Sequence, residues 1–178
     1  ILTICDAKRG DNSVSNGGYV TAIFDWLGFD AVTLHPYLGK EALEPFLDRR
    51  EKACIILCRT SNPGAGELQE LQVEGKPLWQ AVAERVRDEW NTNENCMLVV
   101  GATYPDDLRR IREVIGDMTL LIPGIGAQGG DIEQVLKAGR RSDGGGLIVN
   151  ASRSVLFSPD PAAEARWLRD SINLRRHT

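Results

Sequence analysis

Histidine is nearly absent from this chain: two among 178 residues, His35 and His177. His177 lies in the polar C-terminal tail, so one imidazole is left for any Ser-His, Cys-His or multi-histidine metal chemistry, and such centres are disfavoured. Cysteine is scarce as well. Cys5, Cys54, Cys58 and Cys96 form no CxxC pair, lie in or beside apolar β-like runs, and have too few histidines nearby to complete a zinc set; they read as buried reduced thiols, with no metal site expected. Positive charge is not in excess. The 21 Lys and Arg against 25 Asp and Glu give −4, so no global field invites nucleic acid or an anionic membrane, and any anion has to be held locally. No apolar run approaches the roughly 18 residues of a membrane span and no charged-then-apolar leader opens the chain, which points to a cytoplasmic protein. Internal repeats, low-complexity tracts and linkers are missing too. What remains, 42% hydrophobic and 26% charged with 18 Gly and 8 Pro, is the composition of one globular domain over residues 1–178.

Six short apolar runs rich in Val, Ile, Leu and Thr predict buried strands at Ile1–Cys5, Ala31–Leu34, Ala53–Cys58, Cys96–Val100, Thr119–Ile122 and Gly146–Val149. Between them, helical spacing predicts helices near Tyr19–Leu27, Lys40–Arg50, Pro77–Trp90, Asp106–Ile115, Asp131–Ala138 and Pro161–Leu174. Gly28 stops one helix, Pro77 and Pro161 sit at or near N1, and Asp106 and Asp131 are placed to cap orphan N–H groups. Trp26, Trp79, Trp90 and Trp167 fall on helical stretches and read as core or interface residues.

Regular alternation of strand and helix implies a parallel α/β sheet. Six βα units fit either an open doubly wound sheet or part of a (β/α)8 TIM-type barrel, which normally needs about 250 residues. An intact dinucleotide-binding sheet would carry a GxGxxG turn after its first strand, and none is present. The chain opens without Met or lead-in, directly in a strand bearing its densest polar cluster. The expectation is therefore a barrel with about six βα units present and the first two missing.

That cluster is Asp6-Ala7-Lys8-Arg9-Gly10-Asp11. A period of two points Asp6 and Lys8 to one side at the C-terminal end of the strand, where barrel enzymes keep their chemistry, and their mutual attraction keeps both charged. Asp11 has left the strand and can point toward a neighbouring element or another subunit; a plain surface charge run at a turn is the competing reading. Pro123-Gly124-Ile125-Gly126-Ala127-Gln128-Gly129-Gly130-Asp131 follows another strand and opens a helix, so its backbone N–H groups and the helix dipole make an anion cradle, or merely a tight turn. Arg153, one strand later, offers a bidentate fork for phosphate or a surface ion pair. Thr60-Ser61-Asn62 projects into the barrel mouth, with an ST-turn or capping role as the alternative. His35-Pro36 shapes the rim, and Asp131 is an N-cap.

The DAKRGD segment resembles the DxKxxD signature of orotidine 5′-monophosphate decarboxylases, in the form of their longer-chain branch. His35-Pro36-Tyr37-Leu38-Gly39, Arg59-Thr60-Ser61-Asn62-Pro63-Gly64, the PGIGAQGGD segment and Asn150-Ala151-Ser152-Arg153-Ser154 resemble that branch at successive strand ends, so the likeness runs along essentially the whole chain. It implies a cofactor-free carbon–carbon lyase of pyrimidine biosynthesis, converting orotidine to uridine 5′-monophosphate. Lys8, Asp6 and Asp11 would be catalytic, with Asp11 completing the site of a partner subunit in a homodimer. Ser15, Ser61, Pro123, Gln128, Gly129, Ser152 and Arg153 would bind substrate, Ser61 through the pyrimidine and Gln128 and Arg153 through the phosphate. Fusion to an orotate phosphoribosyltransferase, as in some organisms, is compatible with it.

Departures from the family pattern are specific. After Asp11 the family continues Ile-Gly-Ser-Thr, whereas this chain has Asn12-Ser13-Val14-Ser15; Ser15 keeps a hydroxyl, but Asn12 replaces an apolar side chain expected to reach the neighbouring site. No residue here corresponds to the family's ribose-binding aspartate and first catalytic lysine, which lie on its first two strands. Two rivals stand beside the main reading: a metal-dependent phosphosugar decarboxylase of the same superfamily, which shares a DxK pair, and a non-catalytic barrel segment that binds or supports.

Overall fold

The computed structural model describes residues 1–125 and 131–175. Strand β1 (Ile4–Arg9) leads into α1 (Ser13–Val20), which continues as a wider helical segment, Thr21–Trp26. Next come β2 (Ala31–Leu34), α2 (Lys40–Leu47) and β3 (Ala53–Arg59). A strap then crosses the strand end: a 3-10 turn at Pro63–Ala65, the short α3 (Gly66–Gln69), and an antiparallel hairpin of β4 (Gln72–Val73) with β5 (Lys76–Pro77). Then come α4 (Leu78–Arg85), widened over Val86–Trp90, β6 (Cys96–Val100), α5 (Pro105–Ile115) and β7 (Leu120–Pro123). Last are α6 (Ile132–Gly139), β8 (Leu147–Asn150), the single turn α7 (Arg153–Leu156) and α8 (Pro161–Arg175).

The main sheet has the order β1-β2-β3-β6-β7-β8, every pair parallel. This order is that of the barrel expected from the sequence and not of the doubly wound alternative. A doubly wound sheet reverses its strand order at a switch point, whereas a barrel wall adds each strand beside the last. No reversal occurs here. The two sheet faces agree. On one, Ala31, Ile55, Val99 and Leu121 pack with Ile4, Ala53, Leu57, Met97 and Ile148, all strand residues, as in the side-chain layers of a barrel interior. On the other, Val32, Leu34, Cys54, Ile56, Leu98, Leu120 and Ile122 meet the apolar faces of the helices, including Phe46, Trp79, Leu108 and Ile111. The sheet is a curled part of a TIM-type barrel wall. Among the described residues no helix is long and apolar enough to cross a membrane.

Local chemistry accounts for the boundaries. In α5, Leu108, Ile111 and Ile115 recur at helical spacing and are buried. Asp131 caps α6, its Oδ1 accepting from the Glu133 N–H at 2.8 Å. Asp106 does not cap: Tyr104 holds that position, Pro105 opens the helix, and Asp106 pairs with Arg109 at 2.6 Å. The first strand begins at Ile4 rather than Ile1, because pairing with β2 starts at Ile4↔Ala31 and Ile1 and Leu2 stand exposed; it runs on through Arg9. The first helix begins at Ser13 rather than near Tyr19, since Asn12 Oδ1 accepts from the Ser15 N–H at 3.0 Å and so caps it. α2 stops at Leu47, three residues short of the predicted end, and the strap hairpin and α7 were not anticipated from the sequence. Trp79 and Trp90 are core residues, while Trp26 and Trp167 are exposed. The four cysteines form no disulfide, and burial pushes the Cys58 and Cys96 thiols up to about 12.

Candidate active site

Along β1, Cys5 and Ala7 turn toward the helices, while Ile4 joins the inner layer and Asp6 follows on the same side. Lys8 Nζ donates to Asp6 Oδ1 at 2.6 Å, so the predicted pair forms, but simple alternation is not what forms it. The β1–β2 register slips between Cys5↔Val32 and Arg9↔Leu34, and Lys8 adopts φ +47°. A left-handed backbone at a non-glycine residue costs on the order of 1–3 kcal/mol and survives where its surroundings hold it. Here the Lys8 N–H donates to Thr33 Oγ1 at 3.0 Å, and the Thr33 hydroxyl donates to Asp6 Oδ1 at 2.8 Å. Both charged side chains remain about half exposed. Partial burial would raise the Asp6 carboxyl, yet the hydrogen bonds from Lys8 and Thr33 and the Lys8 charge outweigh it and hold that carboxyl below the usual range.

Asp6 and Lys8 line a groove of about 550 Å³ at the C-terminal ends of the strands. Two further predicted residues, Ser61 and Pro123, share it, as do Thr60, Asn62, Gln69 and Asn150; Leu57, Val99 and Leu121 form its apolar floor. The residues after β3 are held by their own strap: Gln69 Oε1 accepts from the Thr60 N–H at 2.9 Å, and Gln69 Nε2 donates to Thr60 Oγ1 at 2.8 Å. Gly101 backs Ser61 so closely that a Cβ there would stand 2.8 Å from Ser61 Cβ, which requires glycine at the end of β6. At the rim, the His35 ring lies against Gly10, where an added Cβ would come within 2.7 Å of it.

Other predicted site residues lie apart from this groove. Asp11 does not meet Lys8; its Oδ1 accepts from the Asn12 N–H at 2.7 Å, because the turn into α1 carries it away from the strand. The buried Asn16 fixes that turn, with Oδ1 accepting from the Asp11 N–H at 3.1 Å and Nδ2 donating to the Asp11 and Ala42 carbonyls. Ser15 sits in the first turn of α1 and donates its N–H to Asn12. Ser152 is the exposed N-cap position of α7, and Arg153 opens that helix, exposed and without a hydrogen bond or ion pair from its guanidinium among the described residues. Gln128 and Gly129 lie outside the described residues.

Three residues that bond across this region were not singled out from the sequence: Thr33, Asn16 and Arg59. Thr33 is a favourable strand residue in any case, so its composition carried no signal. Arg59 ends β3, where a cation is ordinary, so the sequence gives no sign that it is buried. Its side chain is 2% exposed; Nε donates to Asp107 Oδ2 at 2.8 Å, Nη2 to Glu70 Oε1 at 2.5 Å, and the guanidinium lies 4.0 Å from the Tyr104 ring centroid. It thus ties the strap after α3 to α5, directly behind Thr60 and Ser61.

Comparison with known proteins matches residues 1–168 to the family model described as orotidine 5′-phosphate decarboxylase / HUMPS. An orotidine 5′-phosphate decarboxylase from Cupriavidus taiwanensis is 50% identical over 184 aligned residues, covering 99% of this chain and 68% of that protein. Among solved structures, a Leishmania donovani OMP decarboxylase superposes with a TM-score of 0.96 at 42% identity, over 100% of this chain and 70% of the other. A Leishmania donovani UMP synthase superposes with a TM-score of 0.97 at 44% identity, over 99% of this chain and 40% of the other.

Proposed function

This chain belongs to the orotidine 5′-phosphate decarboxylase / HUMPS family, and from that premise we propose that its strand-end groove serves the conversion of orotidine 5′-monophosphate to uridine 5′-monophosphate and carbon dioxide. The observation that carries this reading is the Asp6–Lys8 ion pair, 2.6 Å long, standing in a groove with Ser61 and Pro123 at the ends of barrel strands.

The reaction breaks the bond between C6 of the pyrimidine and its carboxylate carbon. Carbon dioxide leaves, and the electron pair stays on C6 as a vinylic carbanion with no adjacent carbonyl placed to delocalise it. Charges fixed in advance are then the means of lowering the barrier. In this reading the Lys8 ammonium faces the developing carbanion and afterwards passes a proton from Nζ to C6. Asp6 holds Lys8 and lies beside the substrate carboxylate. Ser61 hydrogen-bonds the pyrimidine. Arg153, with its guanidinium free of protein partners among the described residues, anchors the phosphate, and binding energy gained there is spent at the remote reacting carbon. No cofactor is required by this chemistry. Asp11, turned away from Lys8 in its own chain, completes the network of a partner subunit, which makes a homodimer part of the proposal.

The test is the full-length protein with orotidine 5′-monophosphate, followed by loss of substrate absorbance. Lys8→Ala is expected to lower turnover by several orders of magnitude, each tenfold being about 1.4 kcal/mol, while uridine 5′-monophosphate still binds. Near-normal turnover of the variant would overturn the assignment.

A further inference from the structure

We propose that Thr33 is a positioning residue of this site: its hydroxyl, buried between β1 and β2, fixes both the Asp6 carboxylate and the left-handed backbone of Lys8. The inference rests on the reading of the groove as the decarboxylation site.

The geometry is that of a fully used hydroxyl. A threonine side chain carries one donor and two acceptor lone pairs. Thr33 spends its proton on Asp6 Oδ1 at 2.8 Å and accepts the Lys8 N–H at 3.0 Å. It is 1% exposed, so water does not compete for either bond. The need for it arises from the register. From Cys5 to Arg9, β1 advances four residues while β2 advances two, from Val32 to Leu34. The excess is absorbed around Lys8, whose φ of +47° turns its N–H onto a side chain rather than a strand carbonyl. Without that acceptor the N–H would be left unmet beside a buried strand, and the strained conformation would lose its support.

The carboxylate is set by the same atom. Asp6 Oδ1 accepts from both Lys8 Nζ and Thr33 Oγ1, while among the described residues Oδ2 accepts no hydrogen bond. One oxygen is therefore anchored to the protein by two bonds in a residue that lines the groove, with Lys8 as the other titratable group among the described lining residues. Thr33 thus connects the backbone of the proton donor to the orientation of its carboxylate partner. Valine would preserve the volume and the strand preference but remove both bonds; serine would keep both.

The experiment uses T33V and T33S in the full-length protein, with two readouts. First, the Asp6 carboxyl carbon is titrated by NMR without ligand, its resonance assigned by its loss in D6N. Since the Thr33 bond lowers this carboxyl, T33V is expected to move the midpoint upward and T33S to leave it near wild type. Second, T33V is expected to lower kcat at least about tenfold while KM changes less than about threefold, with the acid limb of the rate profile moved toward higher pH; T33S restores kcat to within about threefold. An unmoved midpoint in T33V, or a T33S as impaired as T33V, overturns the proposal. A midpoint shifted in T33V, together with a wild-type protein that never turns over orotidine 5′-monophosphate, leaves Thr33 as the positioning group and overturns the functional reading instead. Should T33V fail to fold, T33A is read by the same two measurements.

Discussion

Replacing Arg59 by methionine keeps most of the aliphatic stem and removes the guanidinium from its buried seat. Three contacts disappear together: the 2.8 Å bond to Asp107, the 2.5 Å bond to Glu70 and the stacking on Tyr104. Removing one partner of a fully buried pair costs about 3–5 kcal/mol, because the orphaned charge cannot reach water. Here the orphans are better placed, since the Asp107 side chain is 22% exposed and Glu70 is 56% exposed. Their rehydration reduces the expected loss to roughly 2–3 kcal/mol. At about 2–4 °C per kcal/mol for a domain of this size, Tm should fall by about 4–12 °C. Thermal unfolding followed by circular dichroism at fixed protein concentration reads it. The partners supply the internal control: Glu70→Gln should cost less than Asp107→Asn, and both less than Arg59→Met, in the order of their exposure. A Tm for Arg59→Met within about 2 °C of wild type, or a Glu70→Gln as damaging as Arg59→Met, would refute the idea that the strap hangs on this buried cation.

Arg153→Ala should mainly raise KM for the nucleotide and weaken uridine 5′-monophosphate by roughly 1.5–3 kcal/mol, the worth of a charge-assisted hydrogen bond; an equal loss of affinity for the phosphate-free nucleoside in calorimetry would remove Arg153 from the phosphate site. Mixing inactive Asp11→Ala and inactive Lys8→Ala full-length proteins should restore activity if Asp11 serves a partner's site, since random exchange makes about half of the dimers mixed, each with one intact site, for roughly a quarter of wild-type rate. No recovery after verified subunit exchange would confine Asp11 to its own chain.

Much of the groove was legible because its strongest signals are local. Asp6 and Lys8 stand two residues apart, Pro123 directly follows an apolar run and Ser61 comes three residues after another, so each lies within three residues of a run visible in the sequence. Asp11 was readable only as having left the strand; where its side chain went depends on Asn16, whose bonds to Asp11 and to Ala42 on α2 join groups 26 residues apart. Asp106 shows the limit of a capping rule used alone. Pro105 takes the first helical position with Tyr104 before it, and the aspartate two residues past the cap finds an arginine instead.

The sequence by itself determined the six strands of the main sheet, the principal helices between them and the β/α alternation, because those follow from apolar runs, periodicity and end signals within a few residues of each other; the two-residue strands of the strap and the single turn α7 are too short to carry such a pattern. The sequence put a carboxylate and an ammonium two residues apart at one strand end. The barrel was already the expectation, from the missing GxGxxG turn and the likeness at successive strand ends; the tertiary structure supplied the strand order that bears it out, since strand order is a matter of which distant segments pair. It also decided how Lys8 is presented. The left-handed turn exists because β1 and β2 are out of step by two residues and because a hydroxyl 25 residues further along the chain accepts its N–H. Arg59 likewise reads as an ordinary strand-end cation until Glu70 and Asp107, 11 and 48 residues away, close around it. The Arg59 ion pairs and the ladder register each join residues remote in the chain, so no local pattern encodes both partners.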